Sequence, residues 1–148
     1  MKKLKRLDLS KNKFTPDTLD YMFTKLPVLS TNLTTLCLSG VNLTDSNTTS
    51  ITTMLKKMTQ LQSFNISGNS GLTCTGLRKI LVVLKTLEFL NDLDLARLNF
   101  DSNEDCFKEI SAILLSCKPL KSLNLSRVQL DDSCGFYIIE AIAKAVSL

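Results

Sequence analysis

The residues that could perform acid–base or nucleophilic chemistry are few and scattered. The chain of 148 residues has no histidine, which removes Ser–His and Cys–His pairs and most zinc sites. It has no phosphate-binding G-x-x-x-x-G-K loop and no G-x-G-x-x-G motif. Asp92 and Asp94 share one face of a strand, about 7 Å apart, and two such carboxylates alone form neither a metal site nor an acid–base pair. The sequence therefore predicts a protein that is not an enzyme and has no cofactor or metal.

The cysteines, the charges and the hydropathy indicate where the protein resides. The five cysteines are odd in number and dispersed, and are Cys37, Cys74, Cys106, Cys117 and Cys134. This pattern favours a reducing compartment, and residues 1–30 contain no apolar run typical of a signal peptide, so we predict a cytoplasmic protein. No apolar run approaches the ~18 residues of a membrane span. The net charge of +4 is distributed rather than clustered, which argues against a nucleic-acid partner.

Asn-x-Ser/Thr sequons point in the other direction and leave secretion open as an alternative. There are five, at Asn32, Asn42, Asn47, Asn65 and Asn124. A strand pattern of the form LNLS generates a sequon without any selection for glycosylation, and Asn65 and Asn124 are such cases.

A short string that recurs five times dominates the sequence. It begins at residues 4, 33, 61, 90 and 120, every 28 to 30 residues, and its first copy reads LKRLDLSKNKF. Apolar residues stand at positions one, four, six and eleven, with one extra residue in the third copy. The alternation at positions four and six has the period of a half-buried strand. One short strand cannot bury its apolar face alone, so the five strands must stack as a parallel sheet with a continuous interior row.

Between the strings the apolar spacing becomes helical. The first such segment carries Leu19, Met22, Phe23 and Leu26 at i, i+3, i+4 and i+7, the buried face of an amphipathic helix. The later segments carry similar stripes, and the last comprises Ile138, Ile139, Ile142 and Val146.

Capping residues predict where these helices begin. Thr15 precedes a proline at the first helical position, and Asp101 stands three residues before Glu104, as in an acidic capping box. The matching places in the other repeats hold Asp45, Thr73 and Asp131.

The string LxxLxLxxNxL followed by a full helix resembles the ribonuclease-inhibitor-like class of leucine-rich repeats. The resemblance covers residues 1–148 as a single domain. It implies an α/β horseshoe with parallel strands on the concave face and helices on the convex face. Position nine, usually asparagine, is Asn12 and Asn69 but also Val41, Leu98 and Val128, so we expect an irregular turn after the fifth strand. Both ends lack the polar cap of a terminal repeat, and we expect either a fragment of a longer horseshoe or a protein whose ends are covered by partners.

Strand alternation predicts which side chains face the concave side. Positions three and five flank the buried residue at position four, and position eight lies where the chain leaves the strand. The predicted protein-binding residues are Arg6, Asp8, Thr35, Cys37, Ser63, Asn65, Asp92, Asp94, Arg97, Ser122, Asn124 and Arg127. They form either a polar groove for a charged peptide or helix, or a merely solvated sheet. Gly40 and Gly68, at position eight of their repeats, predict unusual backbone angles, and Cys37 is either a tolerated small residue or a reactive thiol.

The resemblance implies a protein–protein interaction module of a larger cytosolic scaffold, receptor or regulator, with a protein partner that the repeat does not identify. Two alternative functions are found among proteins with this class of leucine-rich repeat. One is a GTPase-activating regulator of the Ran type, although no stretch matches the functional loops of that family. The other is an actin-regulatory leucine-rich repeat domain, as in tropomodulin and CARMIL. The uncapped ends further predict self-association, either end to end or around a two-fold axis.

Overall fold

Strands and helices alternate strictly along the chain. The computed structural model describes residues 4–29, 32–101 and 103–146. The strands are β1 (Arg6–Asp8), β2 (Thr35–Cys37), β3 (Ser63–Asn65), β4 (Asp92–Asp94) and β5 (Ser122–Asn124). The α-helices are α1 (Pro16–Leu29), α2 (Thr48–Lys57), α3 (Cys74–Leu84), α4 (Glu104–Ser116) and α5 (Asp132–Val146), and a 3-10 turn at Asp45–Asn47 precedes α2.

The sheet is fully parallel and its order, β1-β2-β3-β4-β5, follows the sequence. Each strand is displaced by one repeat from its neighbour, so position four of every string pairs with position four of the next. This row comprises Leu7, Leu36, Phe64, Leu93 and Leu123. The predicted α/β solenoid of five stacked units is therefore confirmed.

The helices stack in sequence order along the side of the sheet that carries the core, and each helix packs against the next. The predicted stripe of α1 faces the core, with Leu19 and Phe23 buried and Met22 and Leu26 partly buried. The stripes of the second and third helical segments are buried throughout and comprise Ile51, Met54, Leu55, Met58, Leu77, Ile80, Leu81 and Leu84. The prediction for α5 is wrong in part, because Ile139 and Ile142 are 67% and 44% exposed; the side chain of Val146 lies outside the described part of the chain. The buried face of α5 is instead Cys134, Ile138 and Ala141; this helix packs against α4 on one side, and no other described element covers its second side.

The helix caps are confirmed in three repeats. The side-chain oxygen of Thr15 accepts from the Thr18 N–H at 3.3 Å, that of Thr73 from the Thr75 N–H at 3.2 Å, and that of Asp131 from the Cys134 N–H at 2.8 Å. These bonds satisfy amides that the first helical turn leaves without a partner.

Two predicted caps are wrong. Asp101 has a φ of +49° and lies in the preceding turn, while Asn103 caps α4 by accepting from the Asp105 N–H at 2.9 Å. Asp45 lies inside the 3-10 turn, and its carboxylate accepts from the Thr73 N–H at 2.9 Å in the next repeat. In both places a turn inserted before the helix moves the cap by one or two residues, which the string does not encode.

The turn after β5 is regular, contrary to expectation. Repeats 2 and 5 both place valine at position nine between two residues with positive φ, which are Gly40 and Asn42 in repeat 2 and Arg127 and Gln129 in repeat 5. Val128 is buried, and its turn thus repeats the valine turn of the second unit.

The structure joins Cys74 and Cys106 in a disulfide with a Cα–Cα distance of 6.1 Å, which the scattered cysteines did not predict. The two cysteines are 32 residues apart, close to one repeat, and the solenoid places them side by side at the starts of α3 and α4. Cys37, Cys117 and Cys134 form no disulfide; Cys117 and Cys134 are buried, and Cys37 is half-exposed.

Candidate protein-binding face

The structure brings the predicted residues of positions three and five into two adjacent rows across the sheet. Position three aligns Arg6, Thr35, Ser63, Asp92 and Ser122, and position five aligns Asp8, Cys37, Asn65, Asp94 and Asn124. All ten are half-exposed or exposed, whereas the position-four residues between them point into the core. Arg97 and Arg127 lie just beyond β4 and β5, in the exit turns. We call these two rows, with the exit turns, the concave face.

The side chains at position five have a structural role that the repeat pattern did not predict. In four repeats the side-chain oxygen of the position-five residue accepts a hydrogen bond from the backbone N–H two residues later. The donors and acceptors are Ser10 to Asp8 at 3.0 Å, Ser67 to Asn65 at 2.8 Å, Ala96 to Asp94 at 3.0 Å and Ser126 to Asn124 at 3.0 Å. Asp and Asn are the residues that close turns in this way. Their recurrence at position five of four strings was the signal available in the sequence.

Hydrogen bonds between neighbouring strands occupy the carboxylates of β4 as well. Ser63 donates to Asp92 at 2.7 Å, and the amide of Asn65 donates to Asp94 at 3.0 Å. Asp94 therefore has one oxygen bound to the adjacent strand and the other to its own turn. These carboxylates are held in place, and they give the middle of the concave face a fixed negative charge.

Two groups on this face have displaced pKa values. Hydrogen bonds from the Ser10 side chain and backbone, the larger contribution being that of the side chain, lower the pKa of Asp8, which keeps it ionised. Burial raises the pKa of the Cys37 thiol, so that less thiolate is present at neutral pH than in a free cysteine. The thiolate is the reactive form, and the raised pKa favours the interpretation of Cys37 as a tolerated small residue.

Every exit turn requires a left-handed backbone at position eight. The φ values are +60° at Lys11, +61° at Gly40, +66° at Gly68, +55° at Arg97 and +60° at Arg127. The prediction for the two glycines is confirmed. The conformation carries the chain away from the strand while the N–H still reaches the next repeat, as from Gly40 to the Ser67 carbonyl at 2.9 Å. Lys11, Arg97 and Arg127 adopt the same conformation, which their residue types do not predict.

The exit turns of repeats 4 and 5 border a shallow depression of about 430 Å³. Its lining residues are Ser70, Arg97, Leu98, Asn99, Asp101, Arg127 and Gln129. Leu98 is buried, and both arginines are exposed. In the part of the chain that the structure describes, neither guanidinium has an ion pair or a hydrogen bond.

Within the described ranges 4–29, 32–101 and 103–146, no three cysteine and acidic side chains come close enough to hold a metal ion. Among the helices of these same ranges, none combines the length and the apolar character that crossing a bilayer requires.

Comparisons with known proteins agree with this architecture. A family model described as Leucine Rich Repeat matches residues 3–25, which contain the first string and most of α1. Comparison with curated protein sequences gives no match.

Two solved structures have the same overall arrangement. The tropomodulin C-terminal domain of Caenorhabditis elegans is 12% identical with a TM-score of 0.78, and the alignment covers 99% of this chain and 86% of that one. Leiomodin-1 actin-binding site 2 is 17% identical with a TM-score of 0.74, covering 99% of this chain and 83% of that one. The chain thus has the leucine-rich-repeat fold, with five repeats.

Proposed function

We propose that residues 1–148 form one protein-interaction domain and that its partner binds the concave face. The observation that carries this proposal is the alignment of ten polar, solvent-accessible side chains into two rows on a sheet whose other face is the core. A rigid surface of this kind presents many groups at fixed spacing, which lowers the entropy lost on binding.

Actin is the first partner to test. The leiomodin-1 structure that this fold resembles is described as an actin-binding site, and an actin-regulatory domain is one of the functions that the repeat pattern implies. At 17% identity the likeness concerns the fold, so the proposal for this chain depends on a direct binding measurement.

The experiment compares concave and convex substitutions of the same charge. Thr35→Arg changes a position-three side chain on β2 of the sheet, and Thr53→Arg adds the same charge at an exposed position of α2. We expect Thr35→Arg to weaken binding to filamentous or monomeric actin at least tenfold, about 1.4 kcal/mol, with Thr53→Arg close to wild type. Equal affinities of both variants, each with a wild-type melting temperature, would place the site outside the sheet.

A GTPase-activating function is the competing catalytic role, and a direct assay separates it. The chain is added to GTP-loaded Ran, and phosphate release is followed at a tenfold excess of chain over GTPase. We expect the rate to equal the intrinsic rate of Ran. Acceleration that grows with the concentration of the chain would replace the actin proposal.

We also propose that the chain associates with itself through repeat 5. Phe136, Ile139 and Ile142 lie three residues apart on α5 and are 69%, 67% and 44% exposed. Apolar side chains grouped in this way are typical of contact surfaces. Sedimentation at high micromolar concentration should show a dimer, and Ile139→Lys should shift it to monomer. A stable wild-type monomer at that concentration would contradict this proposal.

Finally, we propose a cytoplasmic location, supported by Cys37, Cys117 and Cys134, which are thiols outside any disulfide, and by the fold shared with the actin-binding site of leiomodin-1. Cytosolic reductants keep most thiols reduced, so Cys74 and Cys106 should be trapped as two thiols when cells are lysed in an alkylating agent. Recovery of the pair as a disulfide under those conditions would indicate an oxidising compartment instead.

A further inference from the structure

We propose that Arg97 and Arg127 form a carboxylate-binding site at the edge of the concave face, and that its occupant is an acidic segment of the protein partner. The inference rests on the proposed function in requiring a protein partner, and it adds the chemistry of that partner. It does not depend on the partner being actin.

The first argument is that the fold leaves these two side chains unused. The polar residues of position five close the exit turns, and Asp92 and Asp94 accept hydrogen bonds from β3. Arg97 and Arg127, by contrast, contribute only their backbone to the described structure, as in the bond from the Arg97 N–H to the Ser126 carbonyl at 2.8 Å. Their guanidinium groups remain exposed and free to bind another molecule.

The second argument is that the backbone disfavours arginine at these positions. Position eight has a φ between +55° and +66° in all five repeats, and repeats 2 and 3 fill it with Gly40 and Gly68. A side chain is disfavoured in this conformation, and asparagine or aspartate tolerates it better than arginine does. Arginine therefore stands twice where the turn itself would favour glycine, and such strain is often retained for a function of the side chain.

The third argument is geometric. β4 and β5 are paired, so their exit turns lie about 4.8 Å apart and both arginines line the same depression. A guanidinium binds a carboxylate with two parallel N–H groups, and two guanidinium groups side by side suit two neighbouring acidic side chains. Asp101 is the one acidic residue among those lining the depression, which leaves an excess of positive charge there.

The surroundings favour a protein segment over a polyanion. No further lysine or arginine lines the depression, and Asp92 and Asp94 lie on β4, the strand that ends just before Arg97. These carboxylates repel a phosphate chain, whereas a peptide can carry acidic residues over the arginines and basic or neutral residues over the sheet. Lys11 has the same backbone position in repeat 1 but is separated from Arg97 by the exit turns of repeats 2 and 3, and it serves as a matched control.

The test uses the full chain and a fluorescein-labelled peptide in which two adjacent glutamates stand between neutral residues, with binding followed by anisotropy at low ionic strength. Arg97→Gly combined with Arg127→Gly removes both charges and also relieves the strained backbone, so loss of folding does not obscure the result. Lys11→Gly makes the same kind of change in repeat 1. We expect the double variant to lose at least tenfold in affinity and Lys11→Gly to stay within twofold of wild type.

Several results would overturn the inference: no binding of the peptide to the wild type at millimolar concentration, equal losses in the double variant and Lys11→Gly, or tighter binding of a matched phosphoserine peptide than of the glutamate peptide.

Failure of the proposed function can be distinguished from failure of this inference. If the double variant keeps full affinity for the natural partner while Thr35→Arg loses it, the concave face binds the partner and the arginine site is refuted. If the glutamate peptide requires the arginines while Thr35→Arg leaves partner binding unchanged, the arginine site stands and the sheet does not bind.

Discussion

Asn12 and Asn69 occupy the same position of their repeats, but only Asn69 belongs to the core. Asn69 is 1% exposed; its oxygen accepts from the Val41 and Leu43 N–H groups at 3.0 Å, and its amide donates to the Leu38 carbonyl at 2.9 Å. Asn12 is exposed and donates only within its own repeat. Asparagine at position nine therefore stabilises the core only where the turn of the preceding repeat supplies its hydrogen-bond partners.

The leucine row shows the same contrast between inner and terminal repeats. Leu36, Phe64 and Leu93 have no exposed surface, whereas Leu7 and Leu123 are only partly buried. Each unit of a solenoid contacts only its neighbours, so a unit with one described neighbour buries less. Inner repeats therefore hold most of the stabilising contacts, and the terminal repeats hold the accessible apolar surface.

The largest effect should come from shortening the leucine row. Leu93→Ala should lower the free energy of unfolding by about 2–5 kcal/mol, and Leu123→Ala by about 1–2 kcal/mol, because a partly exposed side chain loses less on transfer to water. Urea denaturation of both variants measures the difference. A loss below about 1 kcal/mol at Leu93 would mean that the strand register is wrong.

The asparagine pair should give the next largest contrast. Asn69→Ala leaves buried N–H and C=O groups of two turns without partners, at about 1–3 kcal/mol for each group not reached by water, and we expect a total loss of about 2–4 kcal/mol. Asn12→Ala should lose less than about 1 kcal/mol, because its partners are solvated. Equal losses in thermal unfolding would show that the first turn is as well packed as the third.

The exit turns should respond in opposite directions to glycine and alanine. Left-handed backbone disfavours a side chain by about 1–2 kcal/mol, partly offset by the extra chain entropy of glycine, about 0.5–1 kcal/mol. Arg97→Gly should therefore stabilise the fold by about 0.5–1 kcal/mol, and Gly40→Ala, whose added methyl group meets nothing within 4 Å, should destabilise it by a similar amount. Loss of stability in Arg97→Gly would mean that the arginine side chain supports the fold.

Thiol alkylation should show the smallest effect, and it tests whether α5 stays packed over Cys134 in the native state. Burial raises the pKa of Cys134 to about 11 and also raises that of Cys37, so at a given pH each thiol has less thiolate than a free cysteine. Cys37 is half-exposed and should react slowly with iodoacetamide at pH 8, whereas Cys134 should react only after unfolding. Equal rates, read by mass spectrometry, would show that α5 opens in the native state.

Much of the fold could be predicted because the same apolar pattern occurs in five consecutive repeats. The apolar residues of one string define a strand, and only stacking at the repeat period buries them, so sheet order, register and the rows of the concave face followed from spacing alone. The same logic correctly assigned Gly40 and Gly68 to strained turns. The prediction that Ile139 and Ile142 are buried was wrong because apolar periodicity identifies a face of a helix without revealing whether another element covers it.

What the sequence determined by itself is therefore the solenoid: a local pattern, repeated, has one way to bury its leucines. What only the tertiary structure decided is which polar groups meet. The turn-closing role of Asp94, the disulfide between Cys74 and Cys106, and the adjacency of Arg97 and Arg127 depend on contacts between atoms two to thirty-two residues apart. Such contacts are set by how turns and helix starts are oriented within each repeat, and side-chain identity at a given spacing does not specify that orientation.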